Sequence, residues 1–265
     1  MESLDYIKAA VMGAVEGITE FLPVSSTGHL IITADLIKFD GPLADTFTVA
    51  IQFGAILAVC WLYRAKLSRV VRDLGKDVTA RRFVVNLLLA LLPSLALGFL
   101  LHETITAHLF NPSTVAWALI VGGVVILLVE RYHYPVDVTD IDAMDWKHAV
   151  KIGAVQTLAL IPGTSRSGAT IIGGLLFGLS RQAATEFSFF LAIPTMLAAT
   201  SYDVFKHRQA FDADQLALFA VGLVVAFLSA LLAVKTFVHY VARHDFSVFA
   251  WYRIAVGALI LWYYF

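Results

Sequence analysis

Long apolar runs without charged residues are the feature that most constrains the fold of this chain. A hydrocarbon layer about 30 Å thick is crossed by a helix of roughly 20 apolar residues. The pattern favours helices over barrel strands because turn residues do not recur at about every tenth position. Only the last of the predicted spans contains a charged residue, Arg253. The spans predicted from these runs are 46–63, 83–101, 114–129, 187–202, 216–234 and 246–265.

The composition agrees with a membrane protein and excludes several other classes. Of the 265 residues, 59% are hydrophobic and 15% are charged, and the net charge is −1. Soluble domains are about 45–50% apolar and about 25% charged, so a soluble enzyme and a disordered segment are excluded. The chain has no basic surplus, which excludes a nucleic-acid partner. Its one cysteine, Cys60, excludes a disulfide framework and a thiolate metal site.

Two further apolar stretches are interrupted by polar loops. Residues 4–37 break at 23–28, and residues 147–179 break at 162–168. Such a pattern is typical of two half-helices around a re-entrant loop, and irregular backbone at membrane depth is tolerated only where it lines a cavity within the protein. We therefore predict an all-α polytopic membrane protein with six transmembrane helices and two re-entrant helix–loop–helix hairpins.

The chain matches itself at an offset of 140 residues. GAVE at 13–16 aligns with GAVQ at 153–156, and SSTG at 25–28 aligns with SRSG at 165–168. Each half then holds one hairpin and three spans, an odd number, so the halves are predicted to form an inverted repeat within one integral membrane domain. Their approximate limits are 1–130 and 141–265. Inverted repeats bring their broken helices together near the midplane, so the two polar loops should meet.

Basic residues indicate the orientation in the membrane. The segment 64–82 carries seven Lys and Arg residues, which places it in the cytoplasm. Alternation of the spans then places 131–151 and 235–247 on the same side. The segments 102–113 and 203–214 are expected on the outside.

Glu16 and Glu20 are candidate metal ligands. They are four residues apart, so both carboxylates lie on one face of a helix. Two such charges in a low-dielectric setting repel each other unless a cation lies between them. We predict a divalent cation, Mg²⁺ or Ca²⁺, at this pair; the alternatives are one protonated carboxyl or a pair that opens into water at an interface. Gln156 and Leu160 occupy the matching repeat positions, so the pair belongs to the first half alone.

The first loop carries groups suited to an anion. Its residues Ser25, Ser26, Thr27, Gly28 and His29 combine hydroxyls, an imidazole and a glycine that lets a ligand approach the backbone. Hydroxyls and N–H groups at a helix N-terminus form an anion site. A serine beside a histidine is also a nucleophile–base candidate. A plain N-cap beside an interfacial histidine is the alternative.

The second loop places Arg166 among small polar residues. An arginine at membrane depth costs at least about 2.5–3.5 kcal/mol on insertion scales, which makes a functional role more plausible. Its guanidinium can bind phosphate in a bidentate manner. A structural ion pair with Glu16 or Glu20 is the alternative. The neighbours predicted to bind the same ligand are Ser165, Ser167, Gly168 and Thr170.

The two loop motifs closely resemble the signatures of a known family. AVEGITEFLPVSSTGHL at 14–30 and PGTSRSGAT at 162–170 are similar to those of the bacterial undecaprenyl-diphosphate phosphatases, the bacitracin-resistance family. The resemblance implies hydrolysis of undecaprenyl diphosphate to undecaprenyl phosphate and inorganic phosphate, which recycles the lipid carrier for cell-wall synthesis. It also implies a divalent cation, the bacterial plasma membrane, and an active site towards the outer, periplasmic face.

The resemblance carries catalytic roles to Ser26, His29, Glu20 and Arg166. We expect Ser26 to attack the terminal phosphorus, with His29 as its general base or as the proton donor to the leaving group. Attack by metal-bound water is the alternative. Arg166 and the loop N–H groups would hold the diphosphate, and Glu16 with Glu20 would hold the metal.

The expected partners are a prenyl diphosphate lipid and membrane lipids, and a homodimer is left open. One rival interpretation is a transporter or flippase of a phosphorylated prenyl lipid, because inverted repeats with broken helices are typical of transporters. Such a protein would bind the headgroup without releasing phosphate. A second rival, the type-2 phosphatidic acid phosphatases, requires an Arg-Pro element that this sequence lacks.

Overall fold

The computed structural model describes residues 3–40, 44–132, 134–207 and 213–265, and these residues are predominantly helical. Two short 3₁₀ helices, Ile141–Ala143 and Thr157–Leu160, accompany the α-helices. The α-helices, numbered in chain order, are α1 Ser3–Thr19, α2 Ser26–Ile37, α3 Ala44–Leu62, α4 Arg64–Asp73, α5 Val78–Leu109, α6 Pro112–Arg131, α7 Trp146–Gln156, α8 Arg166–Leu176, α9 Arg181–His207, α10 Ala213–Val241 and α11 Ser247–Tyr264.

Within the described ranges, five helices are long and apolar enough to cross a membrane. A sixth candidate is the pair Thr46–Leu62 and Arg64–Asp73, which bends by 76° between α3 and α4. The all-helical class with several membrane-spanning segments, predicted from the sequence, is therefore confirmed. The five single-helix segments are Val78–Leu101, Pro112–Arg131, Arg181–Ser201, Leu216–Val241 and Ser247–Tyr264.

Large apolar side chains cover much of the outer surface of these helices. Phe99 is 81% exposed, Trp262 is 79% exposed and Leu232 is 70% exposed. A water-soluble protein rarely exposes such contiguous apolar area, whereas a hydrocarbon solvent favours it. Most of the buried side chains are apolar too, with Phe187, Phe189 and Phe190 of α9 among them.

Polar side chains fix where the long helices begin. Asp77 precedes α5 and accepts hydrogen bonds from the N–H groups of Thr79 and Ala80. Asn111 precedes α6 and accepts one from the N–H of Thr114, with Pro112 at the first helical position. These N-caps satisfy donors that a helix leaves unpaired at its start. The cap at Asn111 also separates α5 from α6, which together would be too long for one span.

Each of the two apolar stretches with a polar loop is divided into two helices at that loop. The residue before α2, Ser25, has φ of 69°, and the residue before α8, Ser165, has φ of 73°. Each serine hydroxyl accepts a hydrogen bond from the N–H three residues later, that of Gly28 or Gly168. The two loops thus end in the same local geometry, 140 residues apart in the sequence.

Arg253 of α11 links the two polar loops. Its side chain is buried, with 1% of the residue exposed. Its guanidinium donates to the carbonyl oxygen of Pro23 in the first loop at 3.0 Å. It also donates to the carbonyl oxygens of Gly163 and Thr164 in the second loop at 3.1 and 3.0 Å. Irregular backbone inside a membrane needs such partners, because no water is present to supply them.

The same guanidinium reaches α6. It donates to the carbonyl oxygens of Ala118 and Leu119 at 3.1 and 3.3 Å. Gly122 of α6 makes room for it, since a Cβ at this position would lie 2.1 Å from Nη2 of Arg253. The side chain of Arg253 therefore joins α6, α11 and both loops into one unit.

We expect Arg253→Lys to destabilise the fold although it keeps the charge. An ammonium has three donors for the five carbonyl oxygens, so some become unpaired in an apolar interior, which costs about 1–3 kcal/mol for each group. The apparent unfolding temperature of the purified protein should fall by about 5–10 °C.

The matched control is Arg243→Lys, because Arg243 is exposed in the segment before α11. Its unfolding temperature should equal that of the unmodified protein. An equal temperature for Arg253→Lys would contradict the role given to this side chain.

Candidate functional site

The two polar loops are in direct contact. The Ser167 hydroxyl donates to the carbonyl oxygen of Leu22 at 2.7 Å. Arg166 of the second loop forms an ion pair with Glu20, which lies between α1 and the first loop, with Nη2 and Oε1 2.9 Å apart. The meeting of the loops predicted from the sequence is present in the structure. The ion pair that the sequence left as an alternative for Arg166 is also present, and it is made with Glu20.

Glu20 lies at the centre of the contact and uses both carboxylate oxygens. Oε1 accepts from Arg166, and Oε2 accepts a hydrogen bond from the hydroxyl of Ser26. The Glu20 side chain is 8% exposed and that of Arg166 is 12% exposed, so the group is largely removed from solvent. In this environment a charge-assisted hydrogen bond is strong. A serine hydroxyl held on a carboxylate is a nucleophile beside a base.

Arg166 is held from the other side by α9. Its Nη1 donates to the carbonyl oxygen of Ser188 at 2.8 Å and to the Ser188 hydroxyl at 3.3 Å. The Thr170 hydroxyl donates to the same Ser188 oxygen at 2.7 Å. Nε of Arg166 is buried and has no hydrogen-bond partner among the described residues. One donor of the guanidinium is therefore unpaired.

Glu16 lies one turn before Glu20 on α1 and is fully buried. Neither oxygen of its carboxyl group has a hydrogen-bond partner among the residues the structure describes. A buried carboxylate without a partner is strongly unfavourable, so this group requires a proton or a cation. Within the described ranges no group of three or more His, Cys, Asp or Glu side chains could hold a metal ion. A cation at Glu16 and Glu20 would therefore take its other ligands from outside these residue types.

His29 does not contact Ser26 through a hydrogen bond. Its Nδ1 lies 2.8 Å from the carbonyl oxygen of Ser25, and its Nε2 lies 2.7 Å from the hydroxyl of Tyr252 in α11. The sequence paired Ser26 with His29 as a general base, whereas the structure pairs it with Glu20. Both ring nitrogens of His29 are already engaged, which is the physical reason for the difference.

The remaining predicted ligand-binding residues surround the same contact. The hydroxyls of Ser165 and Ser167 are 3.0 Å apart. The N–H groups of Gly28 and Gly168 donate to the capping serines rather than pointing to an open site. Thr27 lies in the first turn of α2 and is partly exposed. Both α2 and α8 begin here, and helix N-termini favour anions.

Ser188 and Arg253, like Tyr252, received no role from the sequence. Each is a polar or charged residue inside an apolar run, and that placement is the available signal. Arg253 was noticed as the charge in the last predicted span, and Ser188 aligns with Thr48 at the repeat offset. Neither pattern says what the side chain contacts.

The site combines four features that act on phosphate. It has a hydroxyl on a carboxylate, a guanidinium with an unpaired donor, two helix N-termini, and a second buried carboxyl group. Phosphoryl transfer depends on placing a nucleophile in line and on neutralising charge on the phosphoryl oxygens. These features supply both requirements.

Comparison with known proteins agrees with this chemistry. The family described as "Bacitracin resistance protein BacA" matches residues 9–259. The undecaprenyl-diphosphatase of Nitrosospira multiformis is 59% identical over 255 residues, which cover 96% of this chain and 93% of the relative. Undecaprenyl-diphosphatase 2 of Rhodospirillum rubrum is 59% identical over 262 residues, which cover 98% of this chain and 96% of the relative. The undecaprenyl-diphosphatase of Methylococcus capsulatus is 56% identical over 257 residues, which cover 97% of this chain and 94% of the relative.

These matches extend far beyond the two loop motifs from which the resemblance was drawn. They include the helices that carry Ser188 and Arg253, and the relatives are of nearly the same length as this chain. The chain belongs to the bacitracin resistance protein BacA family.

Proposed function

We propose that this protein hydrolyses undecaprenyl diphosphate to undecaprenyl phosphate and inorganic phosphate. The observation that carries the proposal is the Glu20 carboxylate shared between the Ser26 hydroxyl and the Arg166 guanidinium. The names of relatives at 56–59% identity support the same substrate. The reaction recycles the lipid carrier of cell-wall synthesis and confers resistance to bacitracin.

Ser26 is the nucleophile in this proposal, and Glu20 is its base. As the Ser26 oxygen attacks the terminal phosphorus, Glu20 Oε2 accepts the hydroxyl proton, and the bond from that phosphorus to the bridging oxygen breaks. Undecaprenyl phosphate leaves with the bonding electrons. Water then attacks the phosphoserine, the Ser26 oxygen leaves and regains its proton from Glu20, and inorganic phosphate is released. Direct attack by water, with Ser26 holding the phosphate, is the alternative route.

Arg166 stabilises charge on the terminal phosphoryl group. Its Nη1 is fixed by Ser188 and its Nη2 by Glu20, while the buried Nε has no partner among the described residues. A guanidinium held in place before the substrate arrives does not need to reorganise during the reaction. Its position beside Ser26 is suited to the equatorial oxygens of the transition state.

A divalent cation, Mg²⁺ or Ca²⁺, is proposed at Glu16 and Glu20. The support is the chemistry of the donors: a fully buried carboxyl group without a hydrogen-bond partner, one helical turn from a second carboxylate. Hard cations prefer such oxygen ligands. When bound, the ion supplies positive charge that neutralises phosphate oxygens. Protein-derived carboxylates are few here, so phosphate oxygens or water would complete the coordination.

The membrane arrangement proposed is six transmembrane helices and two re-entrant hairpins, α1–α2 and α7–α8, in an inverted repeat. Two equivalent packings support it: α1 packs against α10, and α7 packs against α5. Gly13 and Gly153 occupy equivalent repeat positions. A Cβ at Gly13 would lie 2.3 Å from the carbonyl oxygen of Gly222, and one at Gly153 would lie 2.5 Å from that of Ala90.

The protein is proposed to lie in the bacterial plasma membrane with its site open to the outer face. The basic segment 64–82 supports this orientation through the positive-inside rule. The prenyl tail would lie along the apolar side chains exposed on the helices. The homodimer considered from the sequence stays a prediction.

The first prediction concerns phosphate release by purified protein given undecaprenyl diphosphate. Glu20→Gln removes the base, and Ser26→Ala removes the nucleophile, so each should lower kcat at least about 100-fold. Glu103→Gln is the matched control because Glu103 is an exposed carboxylate on α5, and it should retain full activity. If the folded wild-type protein binds the lipid but releases no phosphate, the proposed reaction is wrong.

The second prediction concerns the cation. A chelator should abolish phosphate release, and Mg²⁺ or Ca²⁺ should restore it. Glu16→Gln should raise the cation concentration needed for half-maximal activity about 10-fold or more. Added cation should also raise the unfolding temperature of the wild-type protein but not that of Glu16→Gln. An equal temperature rise in both proteins would exclude Glu16 as a ligand.

The third prediction tests orientation by labelling single cysteines in intact cells, in a Cys60→Ser background. A membrane-impermeant thiol reagent should label Thr106→Cys, near the outer end of α5. It should not label Leu74→Cys, which follows α4 in the basic segment. The reverse pattern would overturn the orientation.

A further inference from the structure

We propose that Tyr252 is a positioning residue for His29 in the reaction proposed above. It acts by fixing the orientation and the tautomer of the imidazole, and the inference rests on that proposed function. Neither the loop motifs nor the names of the relatives assign Tyr252 a role.

Tyr252 makes two contacts with the His29 ring. The tyrosine hydroxyl lies 2.7 Å from Nε2 of His29. The two rings are also stacked, with centroids 5.5 Å apart and planes 4° from parallel. A ring held by both a stack and a hydrogen bond has little freedom to rotate. The contact joins α2 to α11, far apart in the sequence.

The position of Tyr252 is fixed relative to the loops by the next residue. Arg253 donates to carbonyl oxygens of both polar loops. The backbone that carries Tyr252 therefore cannot move without breaking those bonds. The Tyr252 hydroxyl is thus presented to His29 from a rigid element.

The hydrogen bonds define the tautomer of His29. A carbonyl oxygen can only accept, so Nδ1, which lies 2.8 Å from the Ser25 oxygen, must carry the hydrogen. A neutral imidazole has only one N–H, so Nε2 has a lone pair and accepts from the Tyr252 hydroxyl. Tyr252 thereby stabilises the ring in the form whose Nε2 is an acceptor.

This form of His29 complements the Ser26–Glu20 pair. Glu20 already accepts the Ser26 proton, so His29 is not needed for that step. His29 follows Ser26 by three residues on α2, and residues at this spacing lie side by side on a helix. Its Nε2 can therefore accept a hydrogen bond from a water molecule placed over Ser26, once the Tyr252 side chain, and not the backbone that carries it, turns away.

Tyr252 is accessible enough for that exchange. It is 44% exposed, and His29 is partly exposed. Ser26 and Glu20, by contrast, are 6% and 8% exposed. The tyrosine–histidine pair therefore lies on the more open side of the buried catalytic contact.

The experiment is a double-mutant cycle on phosphate release from undecaprenyl diphosphate. Tyr252→Phe keeps the ring stack and removes only the hydroxyl, and we expect kcat to fall about 5- to 20-fold with KM changed less than about twofold. His29→Asn should lower kcat further. In the His29→Asn background, Tyr252→Phe should cause no additional loss, because its effect passes through His29.

Tyr263→Phe is the matched control. Tyr263 lies on the same helix, is 55% exposed and packs edge-to-face against Tyr264 rather than contacting His29. Its variant should have the kcat, KM and unfolding temperature of the wild-type protein.

A spectroscopic measurement tests the contact independently of turnover. With ¹⁵N-labelled histidine, the spectrum of the wild-type protein should show His29, identified by its absence in His29→Asn, with hydrogen on Nδ1. Tyr252→Phe should shift the Nε2 signal, and Tyr263→Phe should not.

Three results would overturn the proposal: independent, multiplicative losses of kcat in the cycle, full activity of His29→Asn, or an unchanged Nε2 signal in Tyr252→Phe. A wild-type protein that releases no phosphate would instead refute the proposed function, and the ¹⁵N spectrum would still report whether Tyr252 sets the tautomer.

Discussion

The arrangement of the site depends on one buried guanidinium bonded to backbone carbonyl oxygens. Arg253 has five such acceptors, distributed over two loops and one helix. The loop carbonyls need donors because they are outside regular helices, and the buried charge needs dipoles around it because water is excluded. The guanidinium supplies the donors that the carbonyl oxygens need, and the carbonyl groups supply the dipoles that the buried charge needs. The side chains of the candidate site lie in or beside the loops that this interaction fixes in position.

The two halves of the chain contribute different chemistry to the contact between the loops. The first half supplies the carboxylates Glu16 and Glu20 and the hydroxyl of Ser26, while the second supplies the guanidinium of Arg166. Gln156 matches Glu16 at the offset of 140 residues, and its side-chain amide donates to the Ser94 hydroxyl at 2.7 Å. Both groups in this hydrogen bond are uncharged. The two halves therefore contribute unequal charge, which places a cationic group opposite an anionic one.

The sequence predicted the helical class, the breaks at both loops, their contact and most of the residues in it. These features depend on local patterns, such as charge-free runs and serine caps, and on an offset that is visible in the sequence. It paired Ser26 with His29, whereas in the structure the Ser26 hydroxyl donates to Glu20; helical spacing identifies neighbours on one helix but not a side chain that reaches it from beyond a loop. Arg253 and Tyr252 could not be assigned, because their partners are distant in sequence and no local pattern specifies them.

The position of Arg253 along the chain has a consequence for how the site is assembled during synthesis. Residues 20–29 and 162–170 leave the ribosome before α11 does, since chains are made from the N-terminus. Until α11 inserts, the carbonyl oxygens of Pro23, Gly163 and Thr164 lack the donor that pairs them in the folded protein. The residues of the candidate site are therefore synthesised before α11, yet they reach their final geometry only when the last of the described helices has joined the bundle.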